Sequence, residues 1–197
     1  MQKAINGKYV LTYATIFSLI LILFYIIPSG WAEVFTAASS AASLDLLSLK
    51  ASWWTEMGIT YIQLIGVRTV VVSVIRECTA LNVLGVIAGL VLPLHASLSK
   101  RLFASISAGI TLFALNIPRI ALTIYLTAYD IWPFTLLPER SLETYHYPIS
   151  FGFGVVGVAL VVLGLSRWII PELGDTLVNI IDWVIGSFRS IQVKNGD

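Results

Sequence analysis

Cys78, Arg119 and His146 are the residues of this chain whose types can do chemistry together. Cys78 is the only cysteine, so no internal disulfide can form and any chemistry at this position uses a free thiol. A thiolate attacks a carbonyl carbon to give a thioester, which water or a second nucleophile resolves. An imidazole such as that of His146 can take the thiol proton and later return it to the leaving amine. A guanidinium such as that of Arg119 is always charged and offers several donors to a tetrahedral oxyanion. The chemistry of such a trio is nucleophilic acyl transfer. Metal chemistry is not expected, because the chain has two histidines, one cysteine and no His-Glu-x-x-His motif. There is no Gly-x-Ser-x-Gly nucleophile elbow, and no cofactor is expected.

Each residue also has a plainer role available. A lone cysteine in a membrane helix most often packs as a small hydrophobe. His146 lies between Tyr145 and Tyr147 and can be an interfacial side chain. Arg119 is harder to dismiss, because an arginine within an apolar span is costly and usually faces a protein interior with a partner. Cys78 is expected to open a helix, where the partial positive charge of the N-terminus favours thiolate.

The elements that must position these residues follow from composition. The chain has 197 residues, 57% hydrophobic and only 12% charged, with a mean hydropathy of +0.88. Soluble domains carry about 25% charged residues, so an all-α polytopic membrane protein is expected. No basic run suggests nucleic acid, and a net charge of +1 excludes little. Spans of about 20 apolar residues are placed at 9–27, 78–94, 102–128 and 149–170. The first lacks a small-residue cleavage pattern and reads as a retained helix. Lys3, Lys8, Lys100, Arg101 and Arg167 flank one side of these spans, which predicts both termini inside. The opposite side holds Glu33, Asp45, Glu56, Glu77, Asp130, Glu139 and Glu143, with Lys50, Arg68, Arg76 and Arg140 among them.

The outer segment 28–77 is expected to begin with a helix along the interface, about 31–49. The β-branched run 59–75 around Ile65-Gly66 then predicts a short hairpin outside the membrane, with a fifth helical span as the alternative. Leu173, Leu177, Ile180, Ile181, Val184, Ile185 and Phe188 recur at helical spacing and predict an inner amphipathic helix at 172–190, for the membrane or a partner. The whole chain reads as a single membrane-embedded domain.

Depth can be counted from the basic anchors. Cys78 precedes Lys100 by 22 positions, Arg119 follows Arg101 by 18, and His146 precedes Arg167 by 21. At 1.5 Å per helical residue those offsets are roughly 33, 27 and 31 Å. Three consecutive spans therefore deliver Cys, Arg and His to one layer near the outer face.

Glu77-Cys78-Thr79-Ala80-Leu81 at a span start, Asn116-Ile117-Pro118-Arg119 in the next span, and His146 at the start of the last resemble the exosortase/archaeosortase family. The resemblance covers about residues 59–165. It implies a membrane cysteine peptidase or transpeptidase with Cys78 as nucleophile, Arg119 as essential partner and His146 as base. Asn116, Glu77, Thr79 and Tyr145 are the accompanying candidates for contact with substrate. The family often has glycine where this chain has Ala80. Substrates implied by the resemblance are surface proteins with a C-terminal tail of motif, transmembrane helix and basic cluster. A membrane lipid or another amine is the implied acceptor. Gly85, Ala88 and Gly89 are small enough to let such a tail helix pack closely. A non-catalytic assembly protein or a transporter component are the rival classes.

Overall fold

The structure, a computed structural model, describes residues 7–131 and 142–194. Lys3, Glu139 and Arg140, counted in the charge bias, lie outside the described residues. Three helices are long and apolar enough to cross a membrane, as a membrane protein requires: α1 (Gly7–Ile26), a helix at Leu98–Tyr129 and one at Leu142–Ile169. Between the first two lie α2 (Gly30–Leu46), strands β1 (Lys50–Glu56), β2 (Ile59–Ile65) and β3 (Thr69–Val74), a 3₁₀ turn (Arg76–Cys78) and α3 (Leu81–Val91). The two long helices are α4 (Leu98–Tyr129) and α5 (Leu142–Gly164), the latter prolonged by a π turn (Leu165–Ile169); α6 (Glu172–Lys194) follows.

The span expected at 78–94 differs from the sequence reading. Its helix, α3, has 11 residues, about 16 Å of rise and well short of a hydrocarbon core of about 30 Å. At its start Thr79 is extended, with φ −92° and ψ 167°. Pro93 stands just beyond its end, where no further helical N–H is available. The segment nevertheless runs antiparallel along α1 from end to end. Arg76 Nη1 donates to Ile27 O at 2.9 Å, the Tyr13 hydroxyl donates to Leu90 O at 2.5 Å, and His95 stacks on Tyr9 at 4.9 Å. Glycine makes this approach possible: a Cβ on Gly85 would lie 2.9 Å from Phe24 Cβ, and one on Gly89 would lie 2.8 Å from the Phe17 ring. The two glycines of α3's small-residue face are thus occupied by α1, while Ala88 lines a groove on the other flank. Gly85 and Gly89 are not open to a tail helix.

The hairpin expected within 59–75 is present, and a further strand extends it. β1, β2 and β3 form one antiparallel sheet in that order. β1 and β2 join through Met57-Gly58 at φ 49° and 80°. Positive φ at both central residues is the type I′ geometry whose twist matches that of paired strands. Ile62, Leu64, Val70 and Val74 turn inward and pack with Leu44 of α2 and Ile120 and Ile124 of α4. α2 presents the small buried residues Ala32, Ala37, Ser40 and Ala41 on one side, which lets it lie close to its neighbours. A second apolar core joins α3, α4, the π turn and the start of α6 through Ile87, Val91, Leu112, Leu165 and Leu173. Lys100 and Glu172 pair at 3.7 Å beside it.

Candidate active site

The turn that carries Cys78 is anchored on both sides. Arg76, two residues earlier, places its guanidinium over the C-terminal end of α1. It donates to Phe24 O and Ile27 O, bonds Asn82 Oδ1 at 3.2 Å and lies 5.5 Å from the Tyr25 ring centroid. The last carbonyls of a helix lack partners within it, so a cation satisfies them and complements the helix dipole. Thr79, one residue later, donates its hydroxyl to Arg76 O at 2.7 Å and accepts the Leu81 N–H at 3.3 Å. Cys78 itself is held from α4. Asn116 Nδ2 donates to Cys78 O at 2.8 Å, and Arg119 Nη2 donates to the same oxygen at 3.1 Å. Residues three apart on a helix share a face, which is why the Asn-x-x-Arg spacing delivers both donors to one carbonyl.

α5 supplies the other side. Arg119 Nη1 donates to Ser150 Oγ at 3.4 Å, and Ser150 Oγ lies 3.4 Å and 3.3 Å from the two ring nitrogens of His146. Ser150 is a member of the cluster that the sequence reading missed. Its signal was available, because it stands four residues after His146 on the same face of a helix. The order of contact is therefore Cys78 carbonyl, Arg119, Ser150, His146. Among the described residues no hydrogen bond joins the Cys78 thiol to the His146 ring.

Arg119 is half-buried, and its Nε is buried with no hydrogen-bond partner among the described residues. No carboxylate pairs with it there either; the ion pair between Lys100 and Glu172 is elsewhere in the fold. A buried guanidinium with a spare N–H and no counter-ion can receive an anionic oxygen. The thiol is also partly buried. Cys78 closes the turn before α3 and, contrary to the expectation from sequence, does not open that helix.

Glu77, Thr79, Asn116 and Arg119 line a cavity of about 100 Å³ beside this cluster, closed on the α5 side by Phe153 and Gly157. Tyr145 does not face it: its hydroxyl donates to Asp130 Oδ1 at 2.6 Å and its side chain is fully buried, bracing the end of α4 against α5 one residue before His146. Ala80 is buried with φ −81°, a conformation that any residue adopts, so glycine is not required there. On the other flank of α3 a groove of about 700 Å³ runs between Phe24, Trp31, Leu84, Ala88, Ile110 and Phe113. Among the described residues no group of His, Cys, Asp and Glu is placed to hold a metal ion. No family model, curated protein or solved structure matches this chain.

Proposed function

We propose that this protein is a membrane-embedded cysteine peptidase or transpeptidase of the exosortase/archaeosortase type, acting on C-terminal tails of surface proteins at the outer face. The observation that carries the reading is the convergence of Asn116 and Arg119 on the main-chain oxygen of Cys78, with Ser150 linking Arg119 to His146. The four-span topology, with both termini cytoplasmic, belongs to the same reading. The antiparallel run of residues 76–95 along α1 supports a return of the chain across the membrane despite the short helix.

In the proposed mechanism His146 takes the Cys78 thiol proton as the sulfur bonds to the scissile carbonyl carbon. The carbonyl oxygen becomes an oxyanion, which the free Nε–H of Arg119 can receive. Collapse breaks the C–N bond, and His146 returns the proton to the departing amine. Water or an amine acceptor, lipid-borne or otherwise, then attacks the thioester and releases Cys78. The apo cluster is loose, as the contacts of 3.3–3.4 Å at Ser150 indicate. Catalytic hydrogen bonds commonly tighten only with substrate bound.

A second reading has its own observation. Arg119 and Asn116 on one carbonyl also form a structural staple, and the thiol has no hydrogen bond to His146, as in a non-catalytic assembly protein. A transporter is less well supported. The buried polar side chains among the described residues, such as Thr36, Ser40, Thr79, Asn116 and Thr127, cluster toward the sheet and the site, not along a path through the apolar core of α3, α4 and the π turn. Replacement of Cys78 by Ala and by Ser, tested on a co-expressed protein bearing an apolar helix and basic cluster at its C-terminus, separates the readings. Loss of processing in both variants supports the peptidase. Normal processing in both assigns Cys78 to the staple.

A further inference from the structure

We infer that the free edge of β3 is a docking site for an extended peptide, to which it adds as a fourth strand beside Cys78. The inference rests on the peptidase reading for the identity of that peptide: the segment of the tailed substrate that precedes its transmembrane helix.

Register fixes which backbone groups are on offer. The two-residue type I′ hairpin makes Glu56 and Ile59 a hydrogen-bonded pair. Pairs alternate along an antiparallel ladder, so the odd-numbered residues of β2 bond β1 and the even-numbered ones bond β3. Thr60, Ile62 and Leu64 therefore bond Val74, Val72 and Val70. Thr69, Val71 and Ser73 are left with N–H and C=O directed away from the sheet. An independent contact agrees with this parity: Ala51, whose N–H must face the opposite edge, donates to Asp45 Oδ1 at 3.2 Å and to Leu49 O at 2.9 Å.

The two edges are treated differently. That of β1 begins and ends with Lys50 and Glu56 and has its first outward N–H capped by Asp45. Charges and caps of this kind protect a natural sheet from further pairing. β3 reads Thr-Val-Val-Val-Ser-Val, with no charge, proline or bulge, and no strand lies beyond it among the described residues. Thr69, Val71 and Ser73 are exposed. Alternating donors and acceptors along an extended line are matched by another extended backbone, which is how peptides add to a sheet edge.

Position supplies the link to the site. The chain passes from Val74 through the extended Ile75, at φ −103° and ψ 172°, into the turn that ends at Cys78. Cys78 lies five positions after Ser73, at most about 17 Å of chain. A strand of about five residues spans that distance. A peptide paired with Val71 and Ser73 thus holds a bond just beyond its paired stretch within reach of the thiol.

The test uses the full-length chain in membranes with Cys78→Ala, so that catalysis is not needed. Ser73→Cys or Val71→Cys then carries the sole cysteine. The probe is a co-expressed reporter ending in an apolar helix and a basic cluster, with single cysteines scanned through the segment before the helix. The docking site predicts disulfide cross-links at every second reporter position, with the pattern displaced by two positions between Val71→Cys and Ser73→Cys. Cross-links without this periodicity, none at all, or a Ser73→Cys chain that instead links to a second copy of itself would overturn it. Cleavage by the native chain is read separately. A reporter that links with the expected period but is never cleaved defeats the peptidase reading alone, whereas one that is cleaved but not linked defeats the docking site alone.

Discussion

At Arg119, lysine keeps the charge but cannot reach Cys78 O and Ser150 Oγ at once while leaving a further N–H for an oxyanion. Arg119→Lys is expected to lower turnover of a tailed substrate by about 10²–10³-fold, the loss typical of a missing oxyanion donor, with the folded protein recovered at normal yield. Turnover within a few-fold of the native chain would assign Arg119 to packing. Ser150→Ala removes the hydroxyl that joins Arg119 to His146 and is expected to cost about 10-fold while shifting the pH profile of turnover, since the imidazole loses its neighbour. Residue types and spacing made most of this cluster legible: the depth count singled out Cys78, Arg119 and His146, the Asn-x-x-Arg motif added Asn116, and the structure links Asn116 and Arg119 to Cys78 O and reaches His146 through Ser150. Ser150 was within reach of the same reasoning through its four-residue spacing from His146, whereas Arg76 stayed hidden because an arginine in a turn acquires meaning only from what it touches.

Among the elements, α3 departs most from its sequence. Apolar residues fill 81–94, but helix formation is local, and the Thr79 bonds at one end and Pro93 at the other confine it to 11 residues. The glycines that read as a docking face are the contact with α1. Gly85→Leu and Gly89→Leu should therefore each cost about 1–3 kcal/mol by overpacking against Phe24 and Phe17, measured as lower thermal stability in detergent. Unchanged stability would reopen that face. The β2–β3 hairpin was readable from its β-branched run, whereas β1 was not, since Trp53 and Trp54 are flanked by polar residues and the Met57-Gly58 turn announces itself only once its positive φ values are seen.

On the scale of the whole molecule, composition alone marked a membrane protein, because a chain with 12% charged residues cannot clothe a soluble surface. The lateral arrangement of helices was not legible, since apolar faces pair by shape and not by pattern. The proposed topology predicts that reporters fused to either terminus are active only in the cytoplasm, while an impermeant reagent labels Ser73→Cys from outside in a Cys78→Ala chain. The central claim is that Cys78 carries the acyl group. Its most direct test is intact-mass spectrometry of the protein after acid quenching of a reaction with a tailed substrate. The account predicts an adduct of the substrate's N-terminal fragment on Cys78, released by neutral hydroxylamine and absent from Cys78→Ala. Cleavage of the substrate with no such adduct, and undiminished in Cys78→Ala, would contradict it.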